Sequence, residues 1–184
     1  MGGCAGTPAA IANIRYDLGP PTPPAYSGPL PVLRMFDVRA PAALDSNNIL
    51  YRMSYADPRQ TASYANSHWT MRPAQLLTLR VRGALAARGA VLSGGEAVNA
   101  PLLTIELDQF EQVFDSQSDS HGALMARATL TRDGALIAQQ TFVARAPASM
   151  ANAAGGVQAL AAASDQFVAQ LVAWLGMQAG AVVQ

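Results

Sequence analysis

The sequence predicts an α+β fold, in which a mostly antiparallel sheet carries two main helices packed on one face. Two groups of segments alternate polar and apolar residues, one at the start of the chain and one in its middle, as strands do. Each of these two groups of predicted strands is followed by a segment with helical periodicity. Strands in runs, followed by helices, favour helices segregated to one face of a sheet. The chain has 184 residues, which indicates one domain at roughly 100–200 residues each.

The first part of the chain predicts short strands around a stiff connection. Residues 19–31 contain six prolines, which remove backbone donors and favour extended geometry. A surface connection is favoured there over a proline-ligand motif. The predicted strands are Arg15–Leu18, Val32–Val38 and Ile49–Tyr55, with Gln60–Tyr64 returning as the hairpin partner of the last.

An irregular link, Asn66–Trp69, is predicted before the first helix, Arg72–Arg88. Pro73 lies at the first helical turn and Gly89 just past the last, the places these residues favour. The apolar stripe of this helix consists of Ala74, Leu77, Val81, Ala84 and Leu85.

The second half predicts long paired strands. After a short strand at Val91–Leu92, the alternation of Leu102–Phe114 breaks at Asp108–Gln109, which indicates a bulge or bend. A polar loop is expected over residues 116–121. Asp133–Gly134 predicts a tight hairpin turn, which joins the strands Ala123–Thr131 and Leu136–Ala144.

The second helix is predicted to begin at Met150 or Gly156 and to end at Gly176. Its apolar face consists of Val157, Leu160, Ser164, Phe167, Val168, Leu171, Trp174 and Leu175. We therefore divide the chain into residues 1–31 (N-terminus, first short strand and proline-rich segment), a single α+β domain over 32–177, and a tail over 178–184.

The composition excludes several classes of function. The chain has 12 Arg, 12 acidic residues and no Lys, so it has no surplus of cations for nucleic acid or for a polybasic membrane surface. A Walker-type nucleotide loop needs a Lys. Continuous apolar runs of 18 or more residues, which a membrane-spanning helix needs, are absent from the sequence.

Candidate catalytic and metal-binding residues are sparse. His68 and His121 stand in predicted loops, and the sequence has no Gly-x-Ser-x-Gly nucleophile elbow. Asp119 and His121 come nearest to a metal-ligand pair, but a solvated loop is the favoured interpretation. Glu106, Asp108 and Glu111 are expected on the outer face of a strand. The sequence thus predicts no enzyme, no cofactor and no metal site.

Cys4 stands in a glycine-rich start, where it cannot form a disulfide within the chain because it is the single cysteine. It is either an inert thiol or the lipid-modified cysteine of a bacterial lipoprotein. Gly3 fits the small residue that precedes such a cysteine, and Ala5 fits sorting to the outer membrane. Several attached acyl chains would anchor the protein stably.

An aromatic cluster is predicted around the first hairpin, from Tyr51, Tyr55, Tyr64 and Trp69. Ordinary packing in the core and at its rim is one interpretation. A partner surface is the other, because Tyr, Trp and Arg dominate binding hot spots.

Several short motifs together resemble a known family. They are a Cys followed by small residues, the pairs Tyr16/Leu18 and Tyr51/Arg52, the set Asn66, Ser67 and Trp69, the strand motif Ile105–Phe110, and a C-terminal Ala173–Leu175. In this order and spacing, from about residue 4 to 176, the chain resembles the ABC-type transport auxiliary lipoproteins, the group that includes paraquat-inducible protein C.

The resemblance implies a fold similar to the N-terminal domain of the translocation protein TolB, and no enzymatic activity. It implies a periplasmic lipoprotein that serves a mammalian-cell-entry-type (MCE) lipid transport system, with an MCE-domain protein and an ABC permease and ATPase as partners. Cys4 would be lipidated and anchored in the inner leaflet of the outer membrane. Tyr51, Arg52, Asn66, Trp69 and Phe110 match family-typical positions, with an interaction role or a structural one.

Two functional hypotheses stay open. The first is a docking or scaffold component, which could form a homo-oligomer. The second is a direct lipid carrier with an apolar cavity, for which the small side chains of Ala126, Ala128 and Ala144 could leave room. Close helix packing against those alanines is the favoured interpretation.

Overall fold

Eight β-strands and two α-helices form the part of the chain that the structure, a computed structural model, describes: residues 13–182 without 27 and 96–98. Cys4 lies outside these residues. The helices are α1 (Pro73–Ala86) and α2 (Ala153–Val182). The strands are β1 (Ile14–Tyr16), β2 (Leu33–Met35), β3 (Asn48–Met53), β4 (Thr61–Trp69), β5 (Val91–Ser93), β6 (Leu102–Phe114), β7 (Ser120–Arg132) and β8 (Ala135–Pro147). The predicted α+β class, with a mostly antiparallel sheet and two helices, is confirmed.

The long antiparallel meander β6–β7–β8 forms the body of the sheet. The register of β6 against β7 shifts between Leu107 and Gln109, at the predicted bulge. Asp133 and Gly134 join β7 to β8 with φ angles of 50° and 81°. Positive φ at both central residues is the geometry of a type I′ hairpin turn, which explains why this dipeptide is a strong hairpin signal.

The other edge of β6 is divided between two parallel neighbours. β2 pairs with the start of β6 at Leu102–Leu103, whereas β3 pairs with its end at Gln112–Phe114. β5 extends the sheet beyond β2, and β4 and then β1 extend it beyond β3.

The predicted irregular link at Asn66–Trp69 is wrong, because these residues are the second half of β4. β1 pairs in parallel with Ser67–Trp69 and supplies backbone partners on that edge. A partner more than 50 positions away in the sequence thus decides the local structure. α2 also runs to Val182, past its predicted end at Gly176.

α2 packs closely on the meander because small residues line the contact. Ala126, Ala128 and Ala144 are at most 2% exposed beneath it. At Gly122, a Cβ would lie 2.5 Å from the backbone of Ala159, so the helix crosses β7 almost in backbone contact. The small strand side chains therefore allow close packing, and α2 fills the space above them.

Candidate docking tip and apolar groove

The turn between β3 and β4, residues 54–60, projects two interface-type side chains and is called the hairpin tip below. Tyr55 is 46% exposed, and its hydroxyl lies 3.8 Å from Sδ of the partly exposed Met53. The exposed Arg59 forms an ion pair with Asp57 at 3.1 Å, and this hydrogen bonding lowers the pKa of the Asp57 carboxyl. Tyr, Met and Arg are enriched in protein interfaces.

An ion pair on the outer face of the sheet supports the hairpin tip. Arg52 donates to both carboxylate oxygens of Glu111 at 2.9 and 3.1 Å, and to the carbonyl of Pro58 in the tip at 2.7 Å. Gln109 donates to the same carboxylate at 2.8 Å. Glu111 was expected on an exposed outer face, but its side chain is only 5% exposed because Arg52 covers it.

Glu106 and Asp108, the other two acidic residues of β6, are exposed as expected.

An aromatic and amide cluster supports the same hairpin on the opposite face of the sheet. The Tyr51 ring lies 4.8 Å from that of Tyr64 and 6.0 Å from that of Phe114. The Tyr64 hydroxyl donates to Oε1 of Gln112, whose amide donates to Oγ of Ser120, each at 2.8 Å. Burial, with a smaller contribution from Tyr51, raises the pKa of Tyr64 to about 12. The cluster connects β4 through β6 to β7.

The remaining family-typical residues lie apart from this cluster. Trp69 and Phe110 are buried in the core with their ring centroids 5.6 Å apart. Asn66 is exposed on β4. Tyr51 and Arg52 thus lie side by side in β3 at the base of the hairpin, with their side chains on opposite faces of the sheet. Trp69 and Phe110 lie in the hydrophobic core.

The two histidines are separate. Nδ1 of His121 lies 2.7 Å from Oδ2 of Asp115, at the end of the sheet near the β6–β7 loop. His68 is on β4, and its Nδ1 is buried without a hydrogen-bond partner among the described residues. A group of three or more His, Cys, Asp or Glu able to hold a metal ion is not found within the described ranges. Nor do those ranges include a helix long and apolar enough to cross a membrane.

An apolar groove of about 430 Å³ lies between the two helices and residues 17–26, which we call the strap. Its lining includes Leu76 and Leu79 of α1, Val168 of α2, and strap prolines such as Pro21. The volume lies within the range typical of small-molecule sites, about 300–1,000 Å³. Sequence reasoning missed this groove.

A buried ion pair forms part of the groove lining. Arg80 of α1 forms an ion pair with Asp165 of α2, and their side chains are 5% and 17% exposed. Arg80 also donates to the carbonyls of Leu18 and Gly19, at 2.7 Å each. The second carboxylate oxygen of Asp165 accepts the N–H of Thr22 at 3.1 Å. The pair thus joins both helices to the strap.

A second arginine holds the far part of the strap. Arg88 donates to the carbonyl of Tyr26 at 2.8 Å and to that of Pro24 at 3.2 Å. It also binds the carbonyl of Ala84 within its own helix at 2.8 Å. The strap carbonyls of Leu18, Gly19, Pro24 and Tyr26 therefore each accept a hydrogen bond from an arginine of α1 or the turn after it.

Gly83 lies in the interior of α1 and lines the groove. A Cβ built there would meet no atom within 4 Å, so no neighbour requires a glycine. Glycine in a helix interior costs about 1 kcal/mol relative to alanine. A glycine within the helical pattern of α1 is the one sequence signal that could have indicated an open space on this helix.

Comparison with known proteins identifies the family. The sequence model of the ABC-type transport auxiliary lipoprotein component matches residues 16–172. A crystal structure of a Xanthomonas campestris protein assigned to the family model DUF330 is similar, with a TM-score of 0.74 and 23% identity over 91% of this chain and 95% of that one. A second crystal structure, of a protein described as uncharacterized, has a TM-score of 0.69 and 17% identity over 89% and 99% of the two chains.

Curated proteins give no match. The two crystal structures support the fold, and the sequence model supports the family. The chain therefore belongs to the family of ABC-type transport auxiliary lipoprotein components.

Proposed function

We propose that the protein is a non-catalytic envelope lipoprotein that docks or scaffolds an MCE-type ABC lipid transport system. Its partners would be an MCE-domain protein and the associated ABC permease and ATPase. Membership of a transport auxiliary family supports this role. Lipidated Cys4 would anchor the chain in the inner leaflet of the outer membrane, facing the periplasm.

The observation that carries the docking proposal is the hairpin tip and its support. Tyr55 is exposed, whereas the base of the hairpin is held by the Arg52–Glu111 ion pair on one face and by the Tyr64–Gln112 hydrogen bond on the other. An exposed aromatic side chain on a rigid base loses little conformational freedom on binding. Such an arrangement is typical of a hot-spot contact.

The experiment is co-purification of the lipidated protein with its MCE-domain partner. Tyr55→Ala should reduce the recovered partner, since truncation of a hot-spot residue costs about 2 kcal/mol or more, a factor of about 30 in affinity. Leu136→Ala is the matched control, because Leu136 is also exposed and apolar but lies next to the β7–β8 turn. Equal recovery with both variants would contradict docking through the hairpin tip.

The family-typical residues contribute in two ways in this proposal. Trp69 and Phe110 maintain the core, and Tyr51 and Arg52 hold the hairpin in position. Asn66, which is exposed, is the member of the set that is free to touch a partner. Asn66→Ala should therefore weaken pairing without lowering the melting temperature, whereas Trp69→Ala should lower the melting temperature.

The anchor is tested separately. Cys4→Ser should release the protein from the membrane fraction with no change in melting temperature, because it replaces a single sulfur atom by oxygen. Membrane association that survives Cys4→Ser and detergent-free washing would contradict anchoring through Cys4.

A direct lipid carrier is the second candidate function. The strand face that could have left room for acyl chains is covered by α2, so a site inside the helix–sheet core is not favoured. The groove beneath the strap is the observation that favours lipid contact.

A further inference from the structure

We propose that the groove between the strap and the two helices holds an acyl chain of a membrane glycerophospholipid. The choice of a membrane lipid rests on the proposed envelope role, whereas the choice of a hydrocarbon chain rests on the groove itself.

The two arginines that line the groove are already engaged with the protein. Arg80 binds Asp165 and two strap carbonyls, and Arg88 binds three carbonyls. A charged or strongly polar group inside the groove would compete with these contacts. A hydrocarbon chain has no such requirement and gains from leaving water.

An extended peptide is disfavoured by the same walls. Pro21, Pro23 and Pro24 have no N–H and cannot donate to a peptide backbone. The other long wall is helix α1, whose backbone groups are bound within the helix. The carbonyls of a peptide lying in the groove would therefore find no backbone N–H partner in these prolines or in α1, which is costly.

The groove also exposes apolar surface that the fold itself does not use. Leu79 is 59% exposed, and Met71 at the rim is partly exposed. Gly83 also lines the groove, and a Cβ at this position would meet no atom within 4 Å. Glycine lowers the helix propensity of α1 at this position and leaves the space beside it open, which favours a ligand in that space.

The length of chain before the domain places this groove within reach of a membrane. Cys4 precedes Ile14 by ten residues, which span at most about 36 Å when fully extended. The groove lining begins at Asp17, directly after β1. An anchored domain thus remains close to acyl chains.

The experiment uses the full chain carrying Cys4→Ser, so that the protein itself does not insert into the bilayer. It is incubated with vesicles of radiolabelled dioleoylphosphatidylethanolamine and then separated from them by flotation, and the label that stays with the protein is counted. Gly83→Leu fills the groove from a position where its Cβ meets nothing, and leucine is a better helix former than glycine. Ala86→Leu is the matched control, because Ala86 is exposed on the same helix but does not line the groove.

We expect label on the Cys4→Ser protein and on the Ala86→Leu variant, and a decrease of about tenfold or more with Gly83→Leu. The melting temperature of Gly83→Leu should be equal to or above that of the parent, which separates blocked binding from unfolding. Absence of label on the parent protein, or equal label on the two leucine variants, would overturn the proposal. Binding of radiolabelled free oleate, with no label taken up from the vesicles, would overturn the choice of a membrane lipid.

Failure of this inference and failure of the docking proposal are distinguishable. Lipid loading is measured on the isolated chain, without an MCE-domain protein. Tyr55→Ala at the hairpin tip should leave lipid loading unchanged, and Gly83→Leu should leave co-purification unchanged if the groove alone is filled.

Discussion

Replacing Arg80 by methionine tests whether the buried ion pair holds the strap on the helices. Methionine preserves most of the apolar stem of the side chain but removes the charge. The change leaves Asp165, which is 17% exposed, without its ion-pair partner, and the carbonyls of Leu18 and Gly19 without their donor.

The expected loss in the free energy of unfolding follows from the burial of this ion pair. Removing one partner of a buried pair costs about 3–5 kcal/mol, because an uncompensated charge is left behind. Asp165 keeps some contact with solvent and the N–H of Thr22, so we expect a loss of about 3 kcal/mol in the free energy of unfolding. Against a total of about 5–15 kcal/mol for a typical domain, the loss is readily measured.

The assay is urea unfolding followed by tryptophan fluorescence, since Trp69 and Trp174 are both buried. Adding Asp165→Asn to Arg80→Met removes the stranded charge and should restore about 2 kcal/mol, within the range of measured coupling energies. Chymotrypsin should also cut the strap of the single variant faster, at Tyr26.

Two results would refute this reasoning. One is an Arg80→Met variant within about 1 kcal/mol of the parent, which is the range of a surface ion pair. The other is a double variant less stable than Arg80→Met, because neutralising Asp165 would then have removed a favourable interaction.

Three further predictions concern the hairpin and the core. Trp69→Ala should lower the free energy of unfolding by about 3–5 kcal/mol in urea titrations, because it leaves a cavity beside Phe110; a loss below about 1 kcal/mol would contradict its core role. Arg52→Met should cost about 3 kcal/mol, since it strands the buried Glu111, and Glu111→Gln in the same chain should recover part of the loss. Tyr64→Phe should cost about 1 kcal/mol at neutral pH through its lost hydrogen bond. Because the pKa of Tyr64 is raised to about 12 from 10.0, its neutral form stabilises the fold fully below pH 10, and that stability is lost as the pH rises through about 12. The difference in free energy of unfolding between the parent and Tyr64→Phe should therefore decrease between pH 10 and pH 12. A difference that stays constant over this range would contradict the raised pKa of Tyr64.

The elements that could be predicted from the sequence are those with a strong local signal. The spacing of Leu160, Phe167 and Leu171 predicts the buried face of α2, and all three side chains are fully buried. The broken alternation after Leu107 predicts the bulge in β6, and the dipeptide Asp133–Gly134 predicts the turn whose φ angles it adopts. Each of these signals is contained within a short window of sequence.

What could not be predicted depends on partners distant in the sequence. The sequence predicts strands at Arg15–Leu18 and Val32–Val38, which overlap β1 and β2, but not how these strands pair, because their parallel neighbours lie more than 50 positions away along the chain. The ion pair of Arg80 joins residues 85 positions apart, so helical spacing alone could not reveal that this arginine is buried. The covered carboxylate of Glu111 likewise depends on Arg52 from a different strand.

The divided edge of β6 has a consequence for the way the polypeptide can be cut. β2 with β5, and β3 with β4 and β1, are two separate groups that meet only through β6 in the sheet path of the described residues. A fragment ending at Ser93 would hold both groups but lack the strand that aligns them. We therefore expect that the first half of the chain does not fold by itself, because the strand that aligns its two groups is synthesised later.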